Sequence, residues 1–472
     1  MAVWIGHRIG IVAVLAIVVG SGLSGGAAQF DRPAGRVFGV IGGAEQSADA
    51  RDLGVKWQQI TFEWAAFQPE GPDDFVLEAV DPAWLRAALA DGREIVGRIT
   101  STPAWASVSG DPAAAPRGLN LPIDDPGNVW AAFVGRLVRE FAPRGVRQWV
   151  IYDEPDVRLG EGDVQFAGEV ADYARLLEVA YRAAREADPR TQIHVAAMNW
   201  WVDEAAGREP YLARLIPVLL RNREAEGAPF FDAVTVRVTN STAAVWNVLS
   251  AVRQILDRNG LEDAAIWLEA NASPTLEGSE WTGNPTFGIT PAMQADFIVQ
   301  AAALGLAAGV ERMAVVDWVD DGVGGEPWGL VRADGSRRAA FDAYRTAIEL
   351  FGSTQSAQRY ENLFAELVVL EQAGRSVYVM WARGTSPVEF IITSGAVGEQ
   401  AALYTPQGRS GPLISQVLEW PAAFTLSVPA VGRDHNGFLT VAGSPRMAVF
   451  DTTDDFFRVV YVIVNGERYR LK

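Results

Sequence analysis

The stretch QWVIYDEP (148–155) joins a short apolar segment to two adjacent carboxylates and a proline. A run of this length, with flanking turn residues and aromatic side chains, indicates a buried β-strand rather than a helix. The residue before a proline is disfavoured in the α region, so Glu154 is predicted to be extended and to end the strand. The stretch therefore predicts a strand whose carboxyl end presents Asp153 and Glu154.

Seven similar runs occur between residues 36 and 318, and amphipathic segments separate several of them. They are RVFGVIG (36–42), VKWQQITF (55–62), EIVGRIT (94–100), QIHVAAM (192–198), FDAVTVRV (231–238), AAIWLEA (264–270) and RMAVVDW (312–318). Eight strands that alternate with helices over about 300 residues are typical of a (β/α)8 TIM barrel. A doubly wound open sheet is the alternative, but it gives no reason for the number eight.

The sequence changes character after residue 355, where strand-like segments follow one another without a long helical pattern. Asn465-Gly466 lies between two of these segments and is a strong hairpin signal. We expect a C-terminal β-sandwich over residues 355–472, after a barrel over residues 29–352. A segment rich in Pro and Gly, 101–128, should form a large loop over the carboxyl end of the barrel.

The first 28 residues have the features of a secretory signal. His7 and Arg8 precede an apolar stretch, 9–19, and Gly26-Ala27-Ala28 fits a cleavage site. The apolar stretch is short for a membrane span. We therefore expect cleavage and a secreted or periplasmic protein, with an uncleaved N-terminal anchor as the alternative.

Composition excludes several kinds of site. The chain has no cysteine, which rules out disulfides and thiolate metal ligands, and its three histidines lie far apart in sequence without metal-ligand spacing. A net charge of -18 and a pI of about 4.7 argue against binding nucleic acid or an anionic membrane through a basic patch.

A second acid, Glu269, ends the seventh run in IWLEANASP, just as Glu154 follows the fourth. Active-site residues of a TIM barrel lie at the carboxyl ends of its strands, and strands four and seven face each other across the mouth. One such acid alone would be ordinary turn chemistry. Two of them could bracket a glycosidic bond, one as proton donor and the other as nucleophile or general base.

These segments resemble the clan-A glycoside hydrolases, nearest the branch of the β-xylosidases and α-L-iduronidase. WVIYDEPD and IWLEANASP match the two catalytic segments, and GVKWQQITFEW, STPAWAS and PWGLVRADGSRRAAFDAY resemble further barrel segments, over roughly residues 36–350. The resemblance implies retaining hydrolysis of a carbohydrate substrate without a cofactor. It also implies that Glu154 is the acid/base and Glu269 the nucleophile.

Three positions depart from the family's pattern. Asp153 replaces an Asn that holds the sugar 2-hydroxyl, Gln59 replaces an Arg on strand two, and strand six presents Arg237 and Thr239 where His and Tyr are usual. Arg237 could pair with Asp153, bind a sugar carboxylate, or form a structural ion pair. Because these changes remove groups that serve catalysis in the family, a catalytically degenerate carbohydrate-binding barrel is the alternative function.

Tryptophan is abundant, with 16 residues, and several lie at or just past predicted strand ends. Trp105 and Trp318 are the candidates for stacking on a sugar ring, with Trp318 the stronger of the two. Packing in the core is the alternative for each, since tryptophan also dominates cores.

Overall fold

Eight parallel strands close into a barrel in which each strand pairs with the next along the chain. The computed structural model describes residues 28–29, 35–222, 229–277, 287–320, 326–393, 400–415, 423–433, 437, 439–451 and 460–471. The barrel strands are β1 (Phe38–Ile41), β2 (Trp57–Glu63), β3 (Glu94–Thr100), β4 (Val146–Ile151), β5 (Gln192–Asn199), β6 (Ala233–Thr239), β7 (Ala265–Asn271) and β8 (Arg312–Val315). β8 pairs with β1, so the predicted (β/α)8 barrel is confirmed.

Helices connect the strands and cover the barrel. They are α1 (Ser47–Leu53), α2 (Trp64–Phe67), α3 (Pro82–Ala90), α4 (Val129–Phe141), α5 (Val170–Ala187), α6 (Trp200–Ala205), α7 (Tyr211–Asn222), α8 (Thr242–Arg258), α9 (Pro291–Ala307) and α10 (Ala339–Phe351), with a 3₁₀ turn at Leu77–Ala79. The apolar residues of α4 recur every three or four positions and are buried, because that spacing places them on one face of a helix. None of the described helices is long and apolar enough to span a membrane. The predicted signal segment lies outside the described residues, apart from Ala28.

Aromatic side chains fill the interior near the amino ends of the strands. The ring centroids of Trp57 and Trp267 are 5.4 Å apart, and His194 lies 4.4 Å from Trp267. Trp267 and Glu269 are two residues apart on β7 and therefore point to the same side of the strand. The charged groups at the barrel mouth thus lie above a layer of aromatic side chains inside the barrel.

The C-terminal segments form two antiparallel sheets, as predicted. Their strands are β9 (Ser356–Glu361), β10 (Ala365–Gln372), β11 (Arg375–Ala382), β12 (Val388–Thr393), β13 (Gln400–Thr405), β14 (Gly408–Ile414), β15 (Ala423–Val428), β16 (Arg446–Phe450), β17 (Val460–Val464) and β18 (Glu467–Arg470). The seven-stranded sheet has the order Ala28–Gln29, β9, β10, β11, β16, β13, β14, and the four-stranded sheet has the order β15, β12, β17, β18. β17 and β18 form the hairpin predicted around Asn465-Gly466.

The seven-stranded sheet is covered on both faces. Along β10, Val368 and Leu370 belong to the hydrophobic cluster of the barrel. Leu367 and Val369 point the other way and pack in a second cluster with the four-stranded sheet. α9 packs directly against β9 and β10. The sandwich is therefore joined to the barrel through a continuous apolar contact.

Candidate active site

The carboxyl ends of four barrel strands bring five charged side chains together. Arg98 lies on β3, Asp153 and Glu154 follow β4, Arg237 lies on β6, and Glu269 lies on β7. Arg237 and Glu269 are partners in the parallel ladder of β6 and β7, which places both side chains on the inner face. The structure thus brings together four of the predicted site residues and adds Arg98.

Arg237 lies at the centre of this cluster. Its Nη1 donates to Glu154 Oε1 at 2.7 Å, and its Nε and Nη2 donate to Glu269 Oε2 at 2.9 and 2.7 Å. Nη2 also lies 3.2 Å from each carboxylate oxygen of Asp153. Of the three possibilities for Arg237, the structure shows an ion pair with Asp153, and it adds ion pairs with both glutamates.

The shared guanidinium limits how far apart the two glutamates lie. Because both bind nitrogens of one small planar group, the bonded oxygens of Glu154 and Glu269 are no more than about 8 Å apart. Carboxyl groups of retaining glycosidases are about 5–5.5 Å apart, and those of inverting enzymes about 6.5–9.5 Å. The bound is compatible with either geometry.

Arg98 is a second cation that binds Asp153. Its Nη1 donates to Asp153 Oδ2 at 2.6 Å, and its Nη2 donates to Thr61 Oγ1 on β2 at 3.1 Å. Sequence reasoning missed this residue, although a signal was present: Arg98 is a charged residue two positions before the end of the strand EIVGRIT. The carboxyl ends of the strands are where TIM barrels have their active-site residues.

Two guanidinium groups face the three carboxyl groups of this cluster, and the charge of Asp317 also acts on Arg237 and Glu154. Burial would raise the pKa of Asp153, but Arg237 and Arg98 together hold it below its ordinary value. Burial raises the pKa of Glu154, with the Asp153 carboxylate adding to the shift and Arg237 opposing it. Burial also raises the pKa of Glu269 against the opposing charge of Arg237. Of these three carboxyl groups, the two glutamates therefore hold a proton more readily than Asp153 does.

Contacts and exposure favour Glu154 as the protonated residue. Arg237 donates one hydrogen bond to Glu154 and two to Glu269, so the ionised form is better stabilised at Glu269. The side chain of Glu154 is 17% exposed, whereas that of Glu269 is 4% exposed. Glu154 is thus the acid that can exchange a proton with a ligand in the mouth.

The backbone conformation of Glu154 differs from the one predicted from the sequence. Glu154 is not extended: its φ is 38°, in the left-handed region. Strand β4 ends at Ile151, and the Glu154 N–H donates to the Ala197 carbonyl of β5 at 3.0 Å. This tertiary hydrogen bond outweighs the local preference of a residue before proline.

Five of the seven described non-glycine residues with positive φ follow barrel strands in this way: Ser101, Tyr152, Glu154, Asn240 and Asp317. Strain of this kind often accompanies functional sites.

Gln59 lies inside the barrel and takes no part in the charged cluster among the contacts described. It is buried on β2, and its side-chain nitrogen has no hydrogen-bond partner. The cation beside Glu269 therefore comes from β6 rather than from β2. Gln59 stays a predicted substrate contact only if a ligand reaches below the charged groups.

The two candidate tryptophans differ in exposure. Trp105 is half-buried, and its indole N–H donates to the Gln68 carbonyl at 2.7 Å, while its ring meets Trp64 edge-on. Trp318 is fully buried, and its indole N–H donates to the Gly42 carbonyl at 2.9 Å. No face of the Trp318 ring is open to solvent, so stacking on a sugar would require the surrounding residues to move. The stacking roles of Trp105 and Trp318 stay predictions.

A cavity of about 350 Å³ adjoins the charged cluster on the side of β1 and β2. Thr61, Glu63 and Trp84 line it, together with the loop that follows β1. Thr61 also accepts the hydrogen bond from Arg98, so the cavity and the cluster share one side chain. A space of this size is within the range of small-molecule sites.

Within the described ranges, no group of three or more histidine or acidic side chains is arranged to hold a metal ion.

Comparison with known proteins identifies the fold. No family model matches the sequence, and no curated protein does. Among solved structures, a family 39 glycoside hydrolase from Bacteroides cellulosilyticus WH2 matches with a TM-score of 0.64 at 14% identity, covering 88% of this chain and 81% of that one. A family 51 α-L-arabinofuranosidase from Bifidobacterium longum matches with a TM-score of 0.57 at 14% identity, covering 91% and 98%. A family 30 endoxylanase from Clostridium papyrosolvens C71 matches with a TM-score of 0.56 at 12% identity, covering 91% and 98%.

These structural neighbours are clan-A glycoside hydrolases with an eight-stranded parallel barrel, in agreement with the resemblance seen in the sequence. They come from several families and do not single out the branch of the β-xylosidases and α-L-iduronidase. At this level of identity, the likeness concerns the fold.

Proposed function

We propose that this protein hydrolyses O-glycosidic bonds of an oligo- or polysaccharide and retains the anomeric configuration. The observation that carries the proposal is the pair Glu154 and Glu269, which follow β4 and end β7 and bind one guanidinium. The structural neighbours, which are glycoside hydrolases by name, support the same class of substrate.

The two glutamates have different roles in this proposal. Glu269, whose carboxylate accepts two hydrogen bonds from Arg237, attacks the anomeric carbon in its ionised form. Glu154 donates its proton to the leaving oxygen and then accepts a proton from the attacking water. Asp153 stays ionised between two arginines, and its negative charge helps to keep the proton on Glu154.

The Arg237 guanidinium must move out of the space between the two glutamates before this reaction can occur. The reacting carbon of the sugar has to lie between the two glutamates, and the guanidinium now occupies that space. The transition state of glycoside hydrolysis carries positive charge at the same place. Substrate binding would therefore break the Arg237–Glu154 contact, while Asp153 can retain Arg237.

The position of Arg237 also supports the second candidate function, a barrel that binds carbohydrate without cleaving it. All three carboxylates around Arg237 hold it in place, and each ion pair is largely buried. If no substrate displaces the guanidinium, the acids cannot reach a glycosidic bond, although the adjoining cavity can still hold a sugar.

The test is a screen of aryl glycosides and polysaccharides with the wild type and with Glu154→Gln and Glu269→Gln. We expect cleavage by the wild type, its loss in both variants without unfolding, and a first product of retained configuration by NMR. Glu186→Gln, an exposed acid on α5, is the matched control and should cleave normally. Unchanged cleavage in Glu269→Gln would contradict the assigned nucleophile. Binding by calorimetry without cleavage of any glycoside would favour the second candidate.

We also propose that residues 1–28 direct export to the periplasm or the medium. The arrangement of His7, Arg8, the apolar stretch and the small residues supports this proposal. N-terminal sequencing of the protein recovered from the periplasm and medium tests it. A chain that starts at Gln29 is expected, and a chain that retains Met1 in the membrane fraction would favour the anchor instead.

A further inference from the structure

The last residue of β5, Asn199, has an amide side chain that the proposed mechanism does not use. Asn199 pairs with Arg237 in the parallel ladder of β5 and β6, and Arg237 pairs with Glu269 in that of β6 and β7. Partners in such a ladder point to the same side of the sheet. Because Arg237 and Glu269 face the interior of the barrel, Asn199 faces it too, at the level of the charged cluster.

A β-bulge brings Asn199 to this level. Between the pairs that Val195 and Met198 form with β6, β5 contains one residue more than β6 does. Without the extra residue, Met198 rather than Asn199 would lie level with Arg237. Bulges are common beside active sites, where they redirect a side chain. The bulge thus places an amide, instead of a thioether, at the mouth of the barrel.

The same bulge lies beside the proposed acid/base. Ala197, within the bulge, accepts the Glu154 N–H through its carbonyl at 3.0 Å. Glu154 follows β4 and Arg237 lies on β6, so their contact at 2.7 Å spans the end of the strand between them. Asn199 is the residue at that end. Its side chain therefore lies beside the space that a sugar enters when the contact breaks.

The amide of Asn199 is free to bind a ligand. Asn199 is the N-cap residue of α6, a position where asparagine commonly accepts a backbone N–H. Among the described residues, its side chain makes neither this hydrogen bond nor any other. The residue is half-buried, so its amide is accessible from the mouth. An amide offers both a donor and an acceptor to a hydroxyl group, whereas carboxylates only accept and guanidinium groups only donate.

We propose that Asn199 binds a hydroxyl group of the sugar held between Glu154 and Glu269 and so orients the ring for the reaction. This inference rests on the proposed function, because it assigns a contact within the same site. The ionised Asp153 cannot donate to a hydroxyl group, and its oxygens already accept hydrogen bonds from two arginines. Asn199 supplies the amide donor that Asp153 lacks.

The test compares Asn199→Ala with the wild type on the 4-nitrophenyl glycoside that the wild type cleaves fastest. It adds a set of analogues of this glycoside that each lack one hydroxyl group. We expect kcat/KM on the parent glycoside to fall about tenfold, the effect of one lost hydrogen bond. On the analogue without the bound hydroxyl, the two proteins should be about equal, because the contact is absent from both.

Asn259→Ala is the matched control. Asn259 is also half-buried, but it follows α8 and lies at the amino end of the barrel. Its kcat/KM should equal that of the wild type on every analogue. We expect the Tm of Asn199→Ala to stay near that of the wild type, since the side chain loses no partner. An equal fall in kcat/KM on all analogues, or no fall at all, would overturn the inference and leave the proposed hydrolysis intact.

Binding separates the role of Asn199 from the proposed hydrolysis. If the wild type cleaves no glycoside, the hydrolysis proposal fails, and calorimetric titration with xylobiose and cellobiose decides the role of Asn199. Binding to Asn199→Ala about tenfold weaker than to the wild type would support the contact. Equal binding, or no binding to either protein, would overturn it. Should Asn199→Ala fail to fold, Asn199→Asp, which keeps the size but loses the donor, takes its place in both experiments.

Discussion

Arg237 sets the charge balance of the barrel mouth, and its removal should reveal how strongly the acids depend on it. Its guanidinium binds Asp153, Glu154 and Glu269, all largely buried. Breaking a buried ion pair by removing one partner typically lowers the free energy of unfolding by about 3–5 kcal/mol. We expect such a loss for Arg237→Ala at neutral pH. The loss should shrink at acid pH, where the unpaired glutamates can bind protons.

Urea unfolding at pH 7 and pH 4.5 checks this prediction. Arg345→Ala is the matched control, because the ion pair of Arg345 with Asp342 on α10 is exposed. Exposed pairs contribute about 0–1 kcal/mol, so the control should differ little from the wild type at either pH. Equal losses in the two variants would mean that Arg237 does not stabilise the acids.

Asp153 should influence the proposed acid/base from the adjacent position. Its ionised carboxylate raises the pKa of Glu154, so Asp153→Asn should move the basic limb of kcat/KM to lower pH. The measurement is the pH profile of wild type and variant on one substrate, with Arg237→Ala as a third protein. A limb that stays in place in Asp153→Asn would show that Arg237 and Arg98 cancel the charge of Asp153.

At the scale of elements, Asn128 joins the long loop before α4 to the helix itself. It is fully buried, its side chain accepts the Ala131 N–H at 3.1 Å, and it donates to the Leu121 carbonyl at 3.0 Å. Asn128→Ala removes the cap of α4 and takes the acceptor from the buried Ala131 N–H, and it also removes one of the two donors to the Leu121 carbonyl, which Arg175 still binds. We therefore expect a loss of about 2–3 kcal/mol in the free energy of unfolding.

Asp81→Ala provides the comparison for Asn128→Ala. Asp81 caps α3 by accepting the Ala83 N–H at 2.7 Å but is exposed. Its loss should be about 1 kcal/mol. If urea unfolding gives the same value for both variants, the hydrogen bond to the loop adds nothing to the cap.

Strands and the residues at their ends were predictable from sequence where the deciding pattern lies within a few consecutive residues. The apolar run and the acid at its end placed Glu269 on β7, because alternation along a strand is a local property. The left-handed turn at Glu154 was not predictable, since it follows from a hydrogen bond to Ala197 of the next strand. The partners of Arg98 were not predictable for a related reason, because they depend on which neighbouring strand ends lie beside it.

At the scale of the whole molecule, the contact between barrel and sandwich contains a carboxyl group that should make stability depend on pH. Asp296 of α9 accepts a hydrogen bond from Ser444 at 2.8 Å, and burial raises its pKa to about 7. The unfolded chain releases this proton near its ordinary pKa, about 4. Between these values the unfolded state binds fewer protons, so stability falls as the pH rises, by at most about 4 kcal/mol.

Asp296→Asn should remove this part of the pH dependence. We expect its Tm to exceed that of the wild type at pH 8 and to equal it within error near pH 4. Thermal unfolding at several pH values between 4 and 8 is the measurement, with the exposed Asp342→Asn of α10 as the control. Parallel curves for Asp296→Asn and the wild type would show that Asp296 is ionised in the folded protein.

The seven-stranded sheet also affects how this protein could be recombined with others. A domain that meets its neighbour through a polar, wet surface can be exchanged by gene fusion as a self-contained module. Here the shared sheet has Val368 and Leu370 on one face and Leu367 and Val369 on the other, so both faces are apolar. A chimaera that kept the barrel and exchanged the sandwich would have to supply a matching apolar surface for α9. Barrel and sandwich are therefore expected to be inherited together.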